Sequence, residues 1–160
     1  RCIERQLALL AQTPLTRDIS ALTAEERVSL DSACSHDKYN RGPAAYNACR
    51  ERMLAALDTS PSPVDLSSLT QTERTSMSSA CSHARYNLGP AALRDCNAKQ
   101  YEKLRDAPAP IDLKQFPRDI RTSIESACSN AKYTLGPADY NRCVERQVTS
   151  LQTATGRGGR

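Results

Sequence analysis

The cysteines stand at positions 2, 34, 49, 81, 96, 128 and 143, and they fall into two series that each advance by 47 residues. Cys34, Cys81 and Cys128 form one series; Cys2, Cys49, Cys96 and Cys143 form the other. Their neighbours keep the same period. Ser32-Ala33-Cys34-Ser35-His36 returns as Ser79-Ala80-Cys81-Ser82-His83 and as Ser126-Ala127-Cys128-Ser129-Asn130, and each is followed by Gly-Pro-Ala at Gly42, Gly89 and Gly136. Arg27, Arg74 and Arg121 recur, as do Pro14, Pro61 and Pro108, and Asp18, Asp65 and Asp112. A period of this size marks a supersecondary unit copied along a chain, each copy burying a face on its neighbours.

The unit divides the chain into residues 1–22, the second half of an incomplete repeat, then repeats 23–69, 70–116 and 117–155, with 156–160 expected as a flexible tail. Arg1-Cys2-Ile3-Glu4-Arg5-Gln6 matches Arg142-Cys143-Val144-Glu145-Arg146-Gln147, so the visible chain is read as starting in mid-repeat. Because Arg1 is not an initiator methionine, it is read as a processed product or an excerpt.

Within one unit the pattern is helical. Thr23-Ala24-Glu25-Glu26 and Thr70-Gln71-Thr72-Glu73 are capping boxes, in which a Thr oxygen serves the first-turn amides and a Glu reaches back. The third unit lacks this box. Leu30, Ala33, Cys34 and Asp37, with Met77, Ala80, Cys81 and Ala84, and Ile124, Ala127, Cys128 and Ala131, mark one helix face, Asp37 being the polar exception. Gly42, Gly89 and Gly136 are expected to end this helix in the left-handed C′ conformation, and the Pro after each suits the first turn of a second helix. That helix carries Tyr46, Cys49, Met53 and Leu57 in one unit and Leu93, Cys96, Gln100 and Leu104 in the next. Proline-rich stretches at 60–63 and 107–110 close the units.

In such an antiparallel hairpin, Cys34 and Cys49 face each other about two turns from the bend. A disulfide needs Cα atoms within roughly 7 Å, closer than the usual axial spacing of roughly 8–10 Å. Ala33, Ala44, Ala45 and Ala48 permit that approach. The expected pairs are Cys34 with Cys49, Cys81 with Cys96, and Cys128 with Cys143. Cys2 is left unpaired or inter-chain, its partner belonging to a first helix upstream. Seven cysteines in 160 residues, so spaced, point to an oxidising compartment: extracellular, cell-surface or periplasmic.

Other residues invite functional readings. His36 and His83 follow Cys-Ser, but the third unit has Asn130 there, and no Cys-x-x-Cys or His-x-x-x-His spacing exists. No metal, haem or other cofactor is expected. The serine rows at 29, 32 and 35, and their equivalents, lack a consistent base for a nucleophile and read as small residues at close helix contacts. Arg27, Arg74 and Arg121 are expected to pair with Asp18, Asp65 and Asp112. Tyr39, Tyr86 and Tyr133 are expected to pack under the Gly-Pro turn. No catalytic residue is assigned, and the chain is read as no enzyme. A net charge of +4 with interspersed signs is a solvated surface, not a nucleic-acid footprint, and no apolar run approaches a membrane span. There is no Asn-x-Ser/Thr sequon; Asp58-Thr59-Ser60-Pro61-Ser62-Pro63 has the composition of an O-glycosylated stretch.

With paired helices at a fixed period, and Tyr, Gly and Ala near each bend, the chain resembles tetratricopeptide and Sel1-like repeats. Its unit is 47 residues and carries one bridge per hairpin. The resemblance implies an all-α fold, an α-solenoid of stacked antiparallel hairpins that scaffolds or binds partners without chemistry of its own. Solenoids need polar caps, and neither end here reads as one: Ile3, Leu7, Leu9 and Leu10 lie at one end, Val144, Val148 and Leu151 at the other. Two open ends lead to head-to-tail stacking, so the leading expectation is an extracellular structural protein forming a filament with itself as partner. The alternative is a secreted or periplasmic protein-binding module, part of a larger protein.

Overall fold

A computed structural model describes residues 2–157, with side chains from 3 to 154. Among the described residues the ordered elements are all helical: α1 Cys2–Gln12, α2 Ala24–Ala33, α3 Pro43–Ala55, α4 Gln71–Ala80, α5 Pro90–Arg105, α6 Arg118–Ala127 and α7 Pro137–Arg157. The Cys2 side chain and residues 158–160 lie outside the described residues. Helix α7 runs on through Gly156 and Arg157, into the stretch expected to be a tail. No helix among the described residues is long and apolar enough to cross a membrane.

Local sequence accounts for where these helices begin. Thr23 accepts a hydrogen bond from the Glu26 amide while the Glu26 carboxylate accepts from the Thr23 amide, a complete capping box at the start of α2. Thr70 and Glu73 do the same for α4. Helix α6 starts instead after Pro117, whose side chain offers no cap. Proline at the first position of α3, α5 and α7 gives up an amide that has no intrahelical partner there.

The glycines do end the helical run, but the form of its last turns and the glycine conformation differ from expectation. The regular α-helices stop at Ala33, Ala80 and Ala127, and the helical path runs on up to the glycines through π-helical turns at Asp37–Arg41, Ala84–Leu88 and Ala131–Leu135. The amide of Gly42 reaches the Asp37 carbonyl at 3.0 Å, and that of Gly136 the Ala131 carbonyl at 3.0 Å, five residues back. Nor are the glycines in the left-handed helical region: Gly42 has φ 92° and ψ 177°, Gly136 φ 111° and ψ 178°. This extended, positive-φ region is open essentially to glycine alone. It swings the chain directly into the next helix instead of winding it off.

The chain forms two compact units, one of Arg1–Val64 with Cys81–Ala98, the other of Asp65–Ala80 with Lys99–Arg160. The division runs through the second repeat. In the first unit α1 lies on α3, and α2 lies against the turn Ala84–Leu88. Leu22, Leu30, Cys34, Cys49 and Leu54 form its core, with Ile19, Tyr46, Met53 and Leu57 packed around them. In the second unit α4 lies against the turn Ala131–Leu135 and against α7. Its core is Leu113, Ile124, Cys128, Tyr140, Cys143, Val144 and Val148.

Each unit therefore contains the same join between one repeat and the next. The Met53 side chain sits beneath Gly89, and Gln100 beneath Gly136, where its Nε2 donates to the Leu135 carbonyl at 3.2 Å. Ser76, fully buried on α4, donates to the Lys132 carbonyl at 2.5 Å. The recurring serine at this position is thus a small group that lets a helix approach a turn closely. Ser29 is equally buried on α2, whereas Ser123 on α6 is exposed.

Candidate functional site

Three bridges staple the hairpins: Cys34–Cys49, Cys81–Cys96 and Cys128–Cys143, with Cα separations of 5.8, 5.8 and 5.7 Å. The rows of polar residues distribute themselves around these staples, and two expectations about them are corrected.

Arg27 does not pair with Asp18. Its guanidinium donates to the carbonyls of Leu22 and Ser20, both at 3.1 Å. Asp18, Asp65 and Asp112 instead accept from the amides of Ser20, Ser67 and Lys114, two residues on, at 2.8–2.9 Å. The recurring Asp is a turn former, its short carboxylate satisfying a local amide. Tyr39, Tyr86 and Tyr133 do not pack under the bend. The π turn directs them outward, Tyr39 being 76% exposed, and Lys38, Arg85 and Lys132 lie over their rings at 5.3–5.9 Å. The interior position is taken by Tyr46 in the first hairpin and Tyr140 in the third. Tyr46 donates to Asp31 at 2.6 Å, and burial with that carboxylate pushes its hydroxyl up to about 12.

His36 and His83 are exposed, and each holds an Asn four residues on: Nδ1 lies 3.2 Å from Asn40 and Asn87 Nδ2 respectively. They are turn partners. Among the described residues no three His, Cys, Asp or Glu side chains gather to hold a metal ion.

The buried polar contacts between repeats centre on the capping-box glutamates. Glu26 and Glu73 are 3% and 4% exposed. Each uses one carboxylate oxygen for its own box and turns the other toward the repeat that follows. Glu26 Oε1 accepts from Arg94 Nε at 2.5 Å, and Glu73 Oε1 from Asn141 Nδ2 at 3.0 Å. Arg94 and Asn141 are equivalent positions. In the third repeat the box residues are Pro117 and Ile120, and Ile120 joins the apolar core.

Glu26 makes stability pH-dependent. Burial raises its carboxyl pKa, but the bonds from Arg94 and Thr23 outweigh this and hold it below the usual 4.5. A lowered folded-state value means stability that is complete above the unfolded value and lost as pH falls through the folded one. The denaturation midpoint of the native chain is therefore expected to drop between pH 6 and pH 3, and Glu26→Gln to reduce that drop. Equal pH slopes for the two proteins would refute the assignment.

The second unit also holds a groove of about 450 Å³. Ile111, Leu113, Tyr140 and Val144 supply apolar surface, and Lys114, Arg121 and Lys132 supply positive charge. Asp112 and Glu125 line it as well. The Asp112 carboxylate is engaged by the Lys114 amide. Burial, then the nearby Glu125 carboxylate, raise the Tyr140 hydroxyl pKa. Among the described residues Lys114, Arg121 and Lys132 form no salt bridge. The sequence reading missed this groove. The signals it held were breaks in the repeat, among them Thr72 where the first unit has Glu25 and Lys114 where the earlier repeats have Ser20 and Ser67.

No family model matches the sequence, and neither a curated protein nor a solved structure matches it.

Proposed function

We propose that the chain is a structural repeat segment of an oxidising, extracellular or cell-surface setting, whose stapled hairpins stack as an α-solenoid and continue head to tail between copies into a filament. The observation that carries this reading is the exposed stripe on α1. Ile3 is 75% and Leu7 60% exposed. The positions equivalent to Leu7 are Leu54, Tyr101 and Val148, of which Leu54 and Val148 are 3% and 6% exposed and Tyr101 is half-buried. The positions equivalent to Ile3 are Arg50, Asn97 and Val144, of which only Val144 is apolar, and it is 3% exposed. On α3 and α7 the residue equivalent to Leu7 is buried in a cluster with Leu30 and Ile124, respectively, of the hairpin's first helix; on α1 it is open. An apolar stripe that meets a different surface on a neighbouring copy makes a heterologous contact, and such contacts propagate when they do not close. The bridges suit a material that must outlast unfolding and proteolysis, because each constrains the unfolded chain.

Sedimentation tests the reading. The native protein, kept oxidised, is expected to grow in mass with concentration, and Leu7→Asp to stay monomeric because it places a charge in the stripe. A native protein that is monomeric at every concentration, or a Leu7→Asp variant that assembles as well, refutes it.

A further inference from the structure

The internal repeat supplies a control for the groove beside Lys132. Subtracting one period from Lys132 gives Arg85, and from Thr72 gives Glu25. In the first unit these two form an ion pair, Glu25 carboxylate to Arg85 guanidinium. In the second unit the cation remains and its carboxylate is gone. Thr72 lines the groove instead, and the Lys132 ammonium lies over the rings of Tyr133 and Tyr140 at 5.3 and 5.5 Å. The other two equivalents of Arg121 are already occupied, Arg27 by two carbonyls and Arg74 by the Gln71 side chain. The second unit thus gathers cations around a space that its sister fills with its own glutamate.

We propose that this groove binds an organic carboxylate, the ligand's carboxylate taking the place on Lys132 that Glu25 takes on Arg85, with its apolar part on Tyr140, Val144 and Ile111. Lys114 and Arg121 add to the attraction. Glu125 and Asp112 temper it, so a small multivalent anion is a poorer fit than a single carboxylate carried on an apolar body. The cation–ring contacts hold the Lys132 stem in place before the ligand arrives, which lowers the ordering cost of binding. The carboxylate can belong to a free acid or to an acidic side chain of a peptide. This inference stands independently of filament formation, since it concerns a groove within one unit.

The test is NMR titration of the intact oxidised protein with 3-phenylpropionate, with its amide, and with N-acetyl-Leu-Glu-amide. The acid and the peptide are expected to shift Tyr140 ring and Lys132 methylene signals saturably, and the neutral amide is not. Two variants follow, each checked for native helicity. Thr72→Glu puts the missing carboxylate back and closes the site from within; Lys132→Met removes the cation. Each is expected to weaken binding by about tenfold or more, the usual loss on removing a charged hydrogen-bonding partner. Tighter binding of the peptide assigns the site to acidic side chains, and tighter binding of the free acid to small metabolites. No saturable shift, or affinity unchanged in Thr72→Glu, overturns the proposal.

Discussion

Reduction of the three disulfides is expected to unfold the chain at ambient temperature. Each bridge spans 15 residues. A loop of that size is worth about 3 kcal/mol in chain-entropy terms, so the set approaches the whole stability of about 5–15 kcal/mol that a domain possesses. The cores offer little to replace it. There is no Trp and only one Phe in the sequence, and the buried clusters are a few Leu, Ile and Val side chains around the sulfurs, with Tyr140 in the second. Removing one bridge through the pair Cys128→Ala and Cys143→Ala is expected to cost about 3 kcal/mol, or roughly 6–12 °C in Tm for a chain of this length. Circular dichroism melts with and without reductant measure both effects. A reduced chain that keeps its helices and its cooperative melt would show that packing alone holds the hairpins.

The second large effect is expected at Gly136, where two demands coincide. Its φ of 111° is closed to residues with a side chain, at about 1–3 kcal/mol. A Cβ there would also overlap Gln100 Oε1. Gln100 must then move and give up its hydrogen bond to the Leu135 carbonyl, worth about 1 kcal/mol. Gly136→Ala is therefore expected to lose about 2–4 kcal/mol in urea denaturation. Adding Gln100→Ala removes the overlap but leaves the backbone strain, so the double variant is expected to lose little beyond Gly136→Ala alone. A loss under about 0.5 kcal/mol, ordinary for a surface substitution, would mean that the turn can relax and does not need its glycine.

What could be read in the sequence was local. The Thr-x-x-Glu boxes place the starts of α2 and α4, and the proline after each glycine places the starts of α3, α5 and α7, because caps act within one turn of a helix. The all-helical character followed from the 3.6-residue spacing of Leu30, Ala33 and Cys34 and their counterparts. The π turns were not legible: a bond to the fifth residue back leaves no mark on a pattern of apolar positions, so the run up to the glycine was expected to be regular α-helix. Arg27 and Asp18 illustrate a different limit. Both recur at the right period, but each is satisfied by backbone a few residues away, and periodicity cannot tell a local partner from a distant one. The buried role of Glu26 was half visible, as a cap; its second oxygen, meeting Arg94 from the next repeat, depends on tertiary placement. The groove was announced by Thr72 standing where a glutamate stands one period earlier and by Lys114 standing where serines stand, differences that acquire meaning once Arg85 and Lys132 are seen at equivalent places.

The most direct test of the structural reading is negative-stain electron microscopy of the oxidised, unreduced protein across a range of concentrations. The account predicts filaments that lengthen with concentration and are absent in Leu7→Asp. Discrete single particles at the highest concentration, indistinguishable from those of Leu7→Asp, would contradict it.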